Sequence, residues 1–225
     1  MRFQRGLQII GILILLVPLG MYSTSGANVV LVTGFEPFGA YTTNPSQLIT
    51  ETLNGSTLND AEIVGIVLPV DFNKSVEIAK EAIQHYHPDL VISLGLNARS
   101  HVIKVEKIGV NLKRFQKDDG AWSLPHRIDK TGPFLRLTPL HTNDIARKIR
   151  EANIPVQQSF FAGMYICNAL FYGLIGYIDE QNVSTTIGFV HVPLLDSQDP
   201  QGMPLGTMVD AVKIAIQIGL EQRAS

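Results

Sequence analysis

Two kinds of segment alternate along this chain, and that alternation limits its fold more than any other feature. Short apolar runs rich in β-branched residues, "NVVLVTGF" (28–35), "AEIVGIVLPV" (61–70), "DLVISLG" (89–95) and "TTIGFVHVPLL" (185–195), suit buried strands. Between them lie segments of helical period. "PSQLITETLNG" (45–55) carries Leu48, Ile49 and Leu53 at that spacing and stops at Asn54-Gly55. "NKSVEIAKEAIQHYH" (73–87) gathers Val76, Ile78, Ala79 and Ile83 on one side and ends before Pro88. "HTNDIARKIREANI" (141–154), with Thr142 or Asn143 as its cap, "CNALFYGLIGYIDEQ" (167–181) and "LGTMVDAVKIAIQIGLEQ" (205–222) complete the helices. "PVQQSF" (155–160) reads as a further strand, and the loosely alternating "HVIKVEKIGVNL" (101–112) as one or two more. Strands joined through helices predict an α/β fold with a mostly parallel sheet covered on both faces. With no internal repeat and no low-complexity linker, residues 28–225 are expected to form a single domain large enough to bury a sizeable core. Residues 114–138 lack clean periodicity and read as a long surface excursion, a kind of loop that often carries function.

The first 27 residues stand apart. Arg2 and Arg5 form a basic head, residues 7–21 form an apolar run broken late by Pro18 and Gly20, and Ser25 and Ala27 sit at signal-peptidase spacing. The expectation is a signal peptide cleaved after Ala27, with an uncleaved anchor through residues 7–21 as the alternative; a membrane-spanning helix wants about 20 apolar residues. Either way the protein is expected outside the cytoplasm, periplasmic or extracellular, touching a membrane only through that segment. A net charge of -2 and a pI near 6.3, with no basic cluster, give no electrostatic case for nucleic acid. A single cysteine excludes an intramolecular disulfide and any multi-cysteine zinc site.

That cysteine, Cys167, lies in "SFFAGMYICNALFYGLIG" (159–176), where a strand gives way to a helix. Two readings are open. A free cysteine packs like a small hydrophobe; at a helix N-terminus it is also a nucleophile whose thiolate and oxyanion the unpaired N–H groups stabilise. His191 lies near the end of an apolar strand, at the sheet edge where α/β proteins place their chemistry. Glu106, between Val105 and Ile108 with Lys107, is an acid in an apolar setting that wants a hydrogen-bonding partner such as an imidazole. His85, His87, His101, His126 and His141 sit in polar or turn contexts and read as surface groups. Spacing alone makes a cysteine–histidine–acid triad a suggestion and no more.

Six motifs go further. "VLVTGFEPFG" with "NPS", then "VLPVDF", "PDLVISLG", "VEKIGVN", "AGMYICNALFYG" and "GFVHVPLLDSQ" resemble, in this order, the signatures of pyroglutamyl peptidase I, or pyrrolidone-carboxylate peptidase. The resemblance implies a three-layer α/β/α cysteine peptidase, without metal or other cofactor, that removes N-terminal pyroglutamate from peptides. It assigns Cys167 as nucleophile, His191 as base and Glu106 as acid. It places Phe35, Phe38, Tyr165 and Ile166 around the substrate ring, Asn44 near the site and, after a gap, Arg114 as a further contact. A homo-oligomer is left open. The chain departs from the family pattern at "GLNARS", where Leu96 and Ser100 replace a glutamine and an arginine, with Arg99 one place early. Ala40 replaces a glycine, and the loop 111–120 is about two residues short. Those departures keep alive a non-hydrolytic peptide- or lactam-binding relative. A nucleotide site on "VTGFEPFG" lacks both the dinucleotide glycine spacing and a Walker lysine.

Overall fold

The computed structural model describes residues 28–118 and 120–224. The expected signal segment lies outside the described residues. In chain order the elements are β1 (Val29–Phe35), α1 (Pro45–Leu53), β2 (Thr57–Leu58), β3 (Ala61–Leu68), α2 (Lys74–Tyr86), β4 (Leu90–Leu96) and β5 (Ile103–Glu106). They continue with β6 (Ile108–Val110), β7 (Leu135–Leu137), α3 (Thr142–Glu151), β8 (Val156–Ser159), α4 (Ile166–Gln181), β9 (Thr186–Val192) and α5 (Leu205–Ala224). Seven strands form one sheet in the order β2-β3-β1-β4-β9-β5-β8. The ladders β3-β1, β1-β4, β4-β9 and β5-β8 are parallel, whereas β2-β3 and β5-β9 are antiparallel.

Strand parity sorts the core into two faces. Val30, Val32, Ile92, Val190 and Val192 point toward α1, α3 and α5, packing on Ile49, Ile145 and Val212 among others. Leu31, Phe35, Val91, Ile187 and Phe189 point the other way, onto α2 and α4. A central sheet between two helical layers is therefore built from runs apolar on both faces, as their sequence requires.

Local chemistry fixes the first helix. Asn44 caps α1, its Oδ1 accepting from the Ser46 N–H at 3.0 Å, and Pro45 occupies the first helical position, where no N–H is needed. Gly34 lets α1 approach, because a Cβ there would stand 2.2 Å from the Ser46 carbonyl oxygen. One expectation needs correcting. The α3 cap is His141 without a side-chain hydrogen bond, because Thr142 is already helical and its hydroxyl accepts from Gln158 on β8. The excursion 114–138 is more ordered than its composition implies. Bridges Lys113–His126 and Gln116–Trp122 fold it into a hairpin, and β7 pairs with β6 in a second, two-stranded sheet. Cross-strand pairing outside the main sheet supplies that order, and no periodic pattern announces it.

Candidate active site

Three elements converge at one end of the sheet. His191 faces the α4 side together with Ile187 and Phe189, four and two residues back on β9. On β5, Ile103 and Val105 face the opposite layer, so Glu106 shares the face of His191. The antiparallel register sets Lys104 opposite His191 and Glu106 opposite Phe189, making Glu106 a diagonal neighbour of the imidazole. The Glu106 Oε1 lies 2.8 Å from His191 Nδ1, and both side chains are buried. Glu106 Oε2 has no hydrogen-bond partner among the described residues.

The other hydrogen-bonding partner of the imidazole is the Cys167 thiol. Burial works against a charged ring, but the flanking Cys167 and Glu106 more than offset it and raise the His191 pKa to about 9. A half-buried Cys167 occupies the second position of α4. Tyr165 caps that helix in extended backbone without a side-chain hydrogen bond, and the first helical bond runs from the Ala169 N–H to the Tyr165 carbonyl. The N–H groups of Ile166, Cys167 and Asn168 thus have no helical acceptor and surround the thiol with partial positive charge. Gly95, paired with His191 across β4 and β9, makes room for the sulfur: a Cβ there would stand 2.7 Å from Sγ.

Asn168 fastens this helix end. Its Oδ1 accepts from the Val110 N–H, and its Nδ2 donates to the Val110 and Leu112 carbonyls. The hairpin is pinned alongside, with the Arg114 N–H donating to the Met164 carbonyl and its Nε donating to the Ser123 carbonyl.

Beside the thiol is a narrow apolar recess of about 10 Å³, roughly the room of one water molecule. Phe35, Phe38, Tyr165 and Ile166 all line it, joined by Val70 and Leu96. The structure therefore brings the predicted ring contacts together with Cys167. It does not bring Asn44, which is fully buried, caps α1 and donates to the Glu36 carbonyl, holding the 36–44 loop that carries Phe38. Arg114 also lies outside the recess, its guanidinium engaged with the hairpin backbone. Of the departures, Leu96 is a wall of the recess, Ser100 closes a turn by donating to the Val102 carbonyl, and Arg99 is exposed. Gly95 and Val70 escaped the sequence reading because nothing in one chain marks a glycine or a valine as facing a sulfur. The five remaining histidines are exposed, as expected. Gly34 of "VTGFEPFG" lies within β1 and is packed against α1.

A thiol, an imidazole and a carboxylate in sequence, at the edge of a mostly parallel sheet and under a helix N-terminus, define an α/β protein with a cysteine-hydrolase constellation. The chain belongs to the pyroglutamyl peptidase family, whose sequence model matches residues 28–222. It is 35% identical over 196 residues to pyrrolidone-carboxylate peptidase 2 of Caldanaerobacter subterraneus, covering 84% of this chain and 95% of that protein. A pyrrolidone-carboxylate peptidase of Bacillus velezensis is 34% identical over 191 residues, covering 84% of this chain and 89% of that one. The fold is similar to the crystal structure of pyroglutamyl peptidase I from Bacillus amyloliquefaciens, with TM-score 0.80 and 33% identity over 86% of this chain and 95% of that chain. It is likewise similar to pyrrolidone carboxyl peptidase from Thermococcus litoralis, with TM-score 0.81 and 28% identity over 86% and 94% of the two chains. The non-hydrolytic binding module is not favoured, because the constellation is assembled despite Leu96 and Ser100.

Proposed function

We propose that this protein hydrolyses the amide bond that follows an N-terminal pyroglutamyl residue, with Cys167 as nucleophile, His191 as acid and base, and Glu106 holding the imidazole. The observation that carries this reading is the Glu106–His191–Cys167 line ending beside the apolar recess. A pyroglutamyl ring is a neutral lactam, and a recess of aromatic and aliphatic side chains suits it better than the charged site a free N-terminal amine would need. The half-exposed Phe38, on a turn that includes Gly39 at positive φ, is the wall with room to move as the ring enters.

The Cys167 sulfur, its proton taken by His191, attacks the carbonyl carbon after the ring, and the α4 N–H groups receive the oxyanion. His191 then gives its proton to the departing amine, leaving a pyroglutamyl thioester. Water attacks that thioester, its proton passes to His191, and free pyroglutamate leaves as the sulfur is restored. Glu106 keeps the Nδ1 proton in place throughout, so that Nε2 always faces the reacting atoms. Residues 28–225, reduced, are expected to release the fluorophore from a pyroglutamyl amide and to leave the matching prolyl amide intact. Cys167→Ala should abolish turnover; release persisting in that variant would refute the assignment.

The N-terminal segment carries a separate proposal: residues 1–27 direct export, or tether the domain formed by residues 28–225. Its support is the basic head, apolar run and small residues Ser25 and Ala27. Recovered protein beginning at Asn28 would support cleavage, and a retained Met1 on membranes the anchor. Full-length protein in the cytosol would refute both.

A further inference from the structure

A larger cavity adjoins the site and has no part in the chemistry above. It measures about 310 Å³, at the small end of ligand sites, and lies between α2, α4 and the excursion. Aromatic rings connect it to the thiol recess. Tyr165, a wall of that recess, meets Phe72 edge-on at 5.4 Å and Trp122 edge-on at 5.5 Å, and Phe72 is also a wall of the larger cavity. Beyond Phe72 comes Lys113, its Nζ 5.3 Å from the ring centroid.

The charges around this cavity are unevenly matched. Arg136 is engaged by Glu180 at 2.9 Å and Asp129 at 3.6 Å. Lys80 lies over Tyr177, one helical turn from Glu77, the remaining carboxylate on the wall. Lys113 and Lys80 alike have no carboxylate within ion-pair distance among the described residues, but Lys113 is the one joined through Phe72 to Tyr165 beside the thiol. It is also held there: its N–H and carbonyl pair with His126, and Arg114 next to it is tied to Met164. The steps from Tyr165 to Phe72 and from Phe72 to Lys113 together reach at most about three residues of extended chain, at about 3.3 Å each.

We propose that this cavity is the subsite for the leaving peptide, and that Lys113 binds a carboxylate two to three residues after the pyroglutamyl ring. The aromatic row carries the intervening chain. The carboxylate is either the terminus of a short peptide or an acidic side chain of a longer one. This inference rests on the pyroglutamyl peptidase reading.

The test compares three probes: pyroglutamyl-alanyl-alanine, its C-terminal amide, and pyroglutamyl-alanyl-glutamate amide. The free acid or the glutamate peptide should have a KM about fivefold below that of the alanyl amide, and Lys113→Gln should bring the ratio to one. Preference for the free acid alone assigns the terminal carboxylate, and preference for the glutamate peptide assigns the side chain. Equal KM values in the unsubstituted protein, or a ratio that survives Lys113→Gln, would overturn the proposal. Calorimetry with Cys167→Ala reads the same ratio as Kd without turnover. Failure of the unsubstituted protein to cleave any probe would thus sink the peptidase reading alone, and equal Kd values would sink the subsite alone.

Discussion

At Gly95 the missing side chain is what admits the thiol. A methyl group there would press on Cys167 Sγ at 2.7 Å and on the Phe189 ring at 3.0 Å, so one of the two must shift. Gly95→Ala should lower kcat/KM by about 100-fold, the scale expected for displacing a reacting atom by about an ångström, while costing about 1–3 kcal/mol of stability. Steady-state kinetics and thermal denaturation check the two effects separately. Glu106 acts by another route, since its Oε1 touches the imidazole and not the reacting sulfur. Glu106→Gln keeps the shape but removes one of the two influences that hold the His191 proton up to about pH 9. The alkaline limb of kcat/KM should then move to lower pH, with a fall in kcat of about 100-fold or more. A pH–rate profile of both proteins decides it; an unmoved alkaline limb would remove Glu106 from the role proposed here.

Among the elements, α4 is the one whose placement matters most, and its N-terminal turn is held by a single amide. Asn168→Ala would strip three backbone groups, the Val110 N–H and the Val110 and Leu112 carbonyls, of their buried partner. Loss of about 2–4 kcal/mol is expected, read as a lower urea midpoint at unchanged slope. Activity should fall with it, because the neighbouring Cys167 loses its fixed position. The same helix shows how much a sequence reveals at this scale. Its apolar composition and the residues flanking Cys167 announce a buried helix beginning near the thiol, and α4 begins one residue earlier, at Ile166. Of the acid's strand they announce much less. "HVIKVEKIGVNL" resolves into β5 in the main sheet and β6 outside it, with Lys107 between them. Alternation looks the same in both pieces, so only long-range pairing separates them.

For the whole molecule, the buried pair makes stability depend on pH. His191 binds its proton up to about pH 9 in the fold, against an ordinary value of 6.5. Its contribution is therefore fully present below pH 6.5 and is lost as pH rises through about 9. The thermal midpoint should decline across that window by an amount corresponding to a few kcal/mol at most. Glu106→Gln, with the raising influence weakened, should flatten the decline. A midpoint independent of pH from 6.5 to 9 in the unsubstituted protein would contradict the charged pair.

What the amino-acid sequence determined by itself follows from periodicity and local chemistry. Apolar β-branched runs become strands whether or not their neighbours are known, amphipathic segments become helices, and Asn44-Pro45-Ser46 caps α1 with atoms two residues apart. The residues of the proposed triad were legible in the same sense, as chemistry-bearing groups at element ends that together resemble one family's motifs. Tertiary structure decided the rest. Glu106 and His191 are 85 residues apart and meet only because β5 lies antiparallel to β9. Asn44 and Arg114 leave the recess because their hydrogen bonds are satisfied elsewhere, and Leu96 enters it because β4 ends there. The row from Tyr165 through Phe72 to Lys113 joins three separate stretches of chain. Periodicity is a property of neighbours along the chain, whereas a site consists of neighbours in space, and only strand order, register and packing turn one into the other.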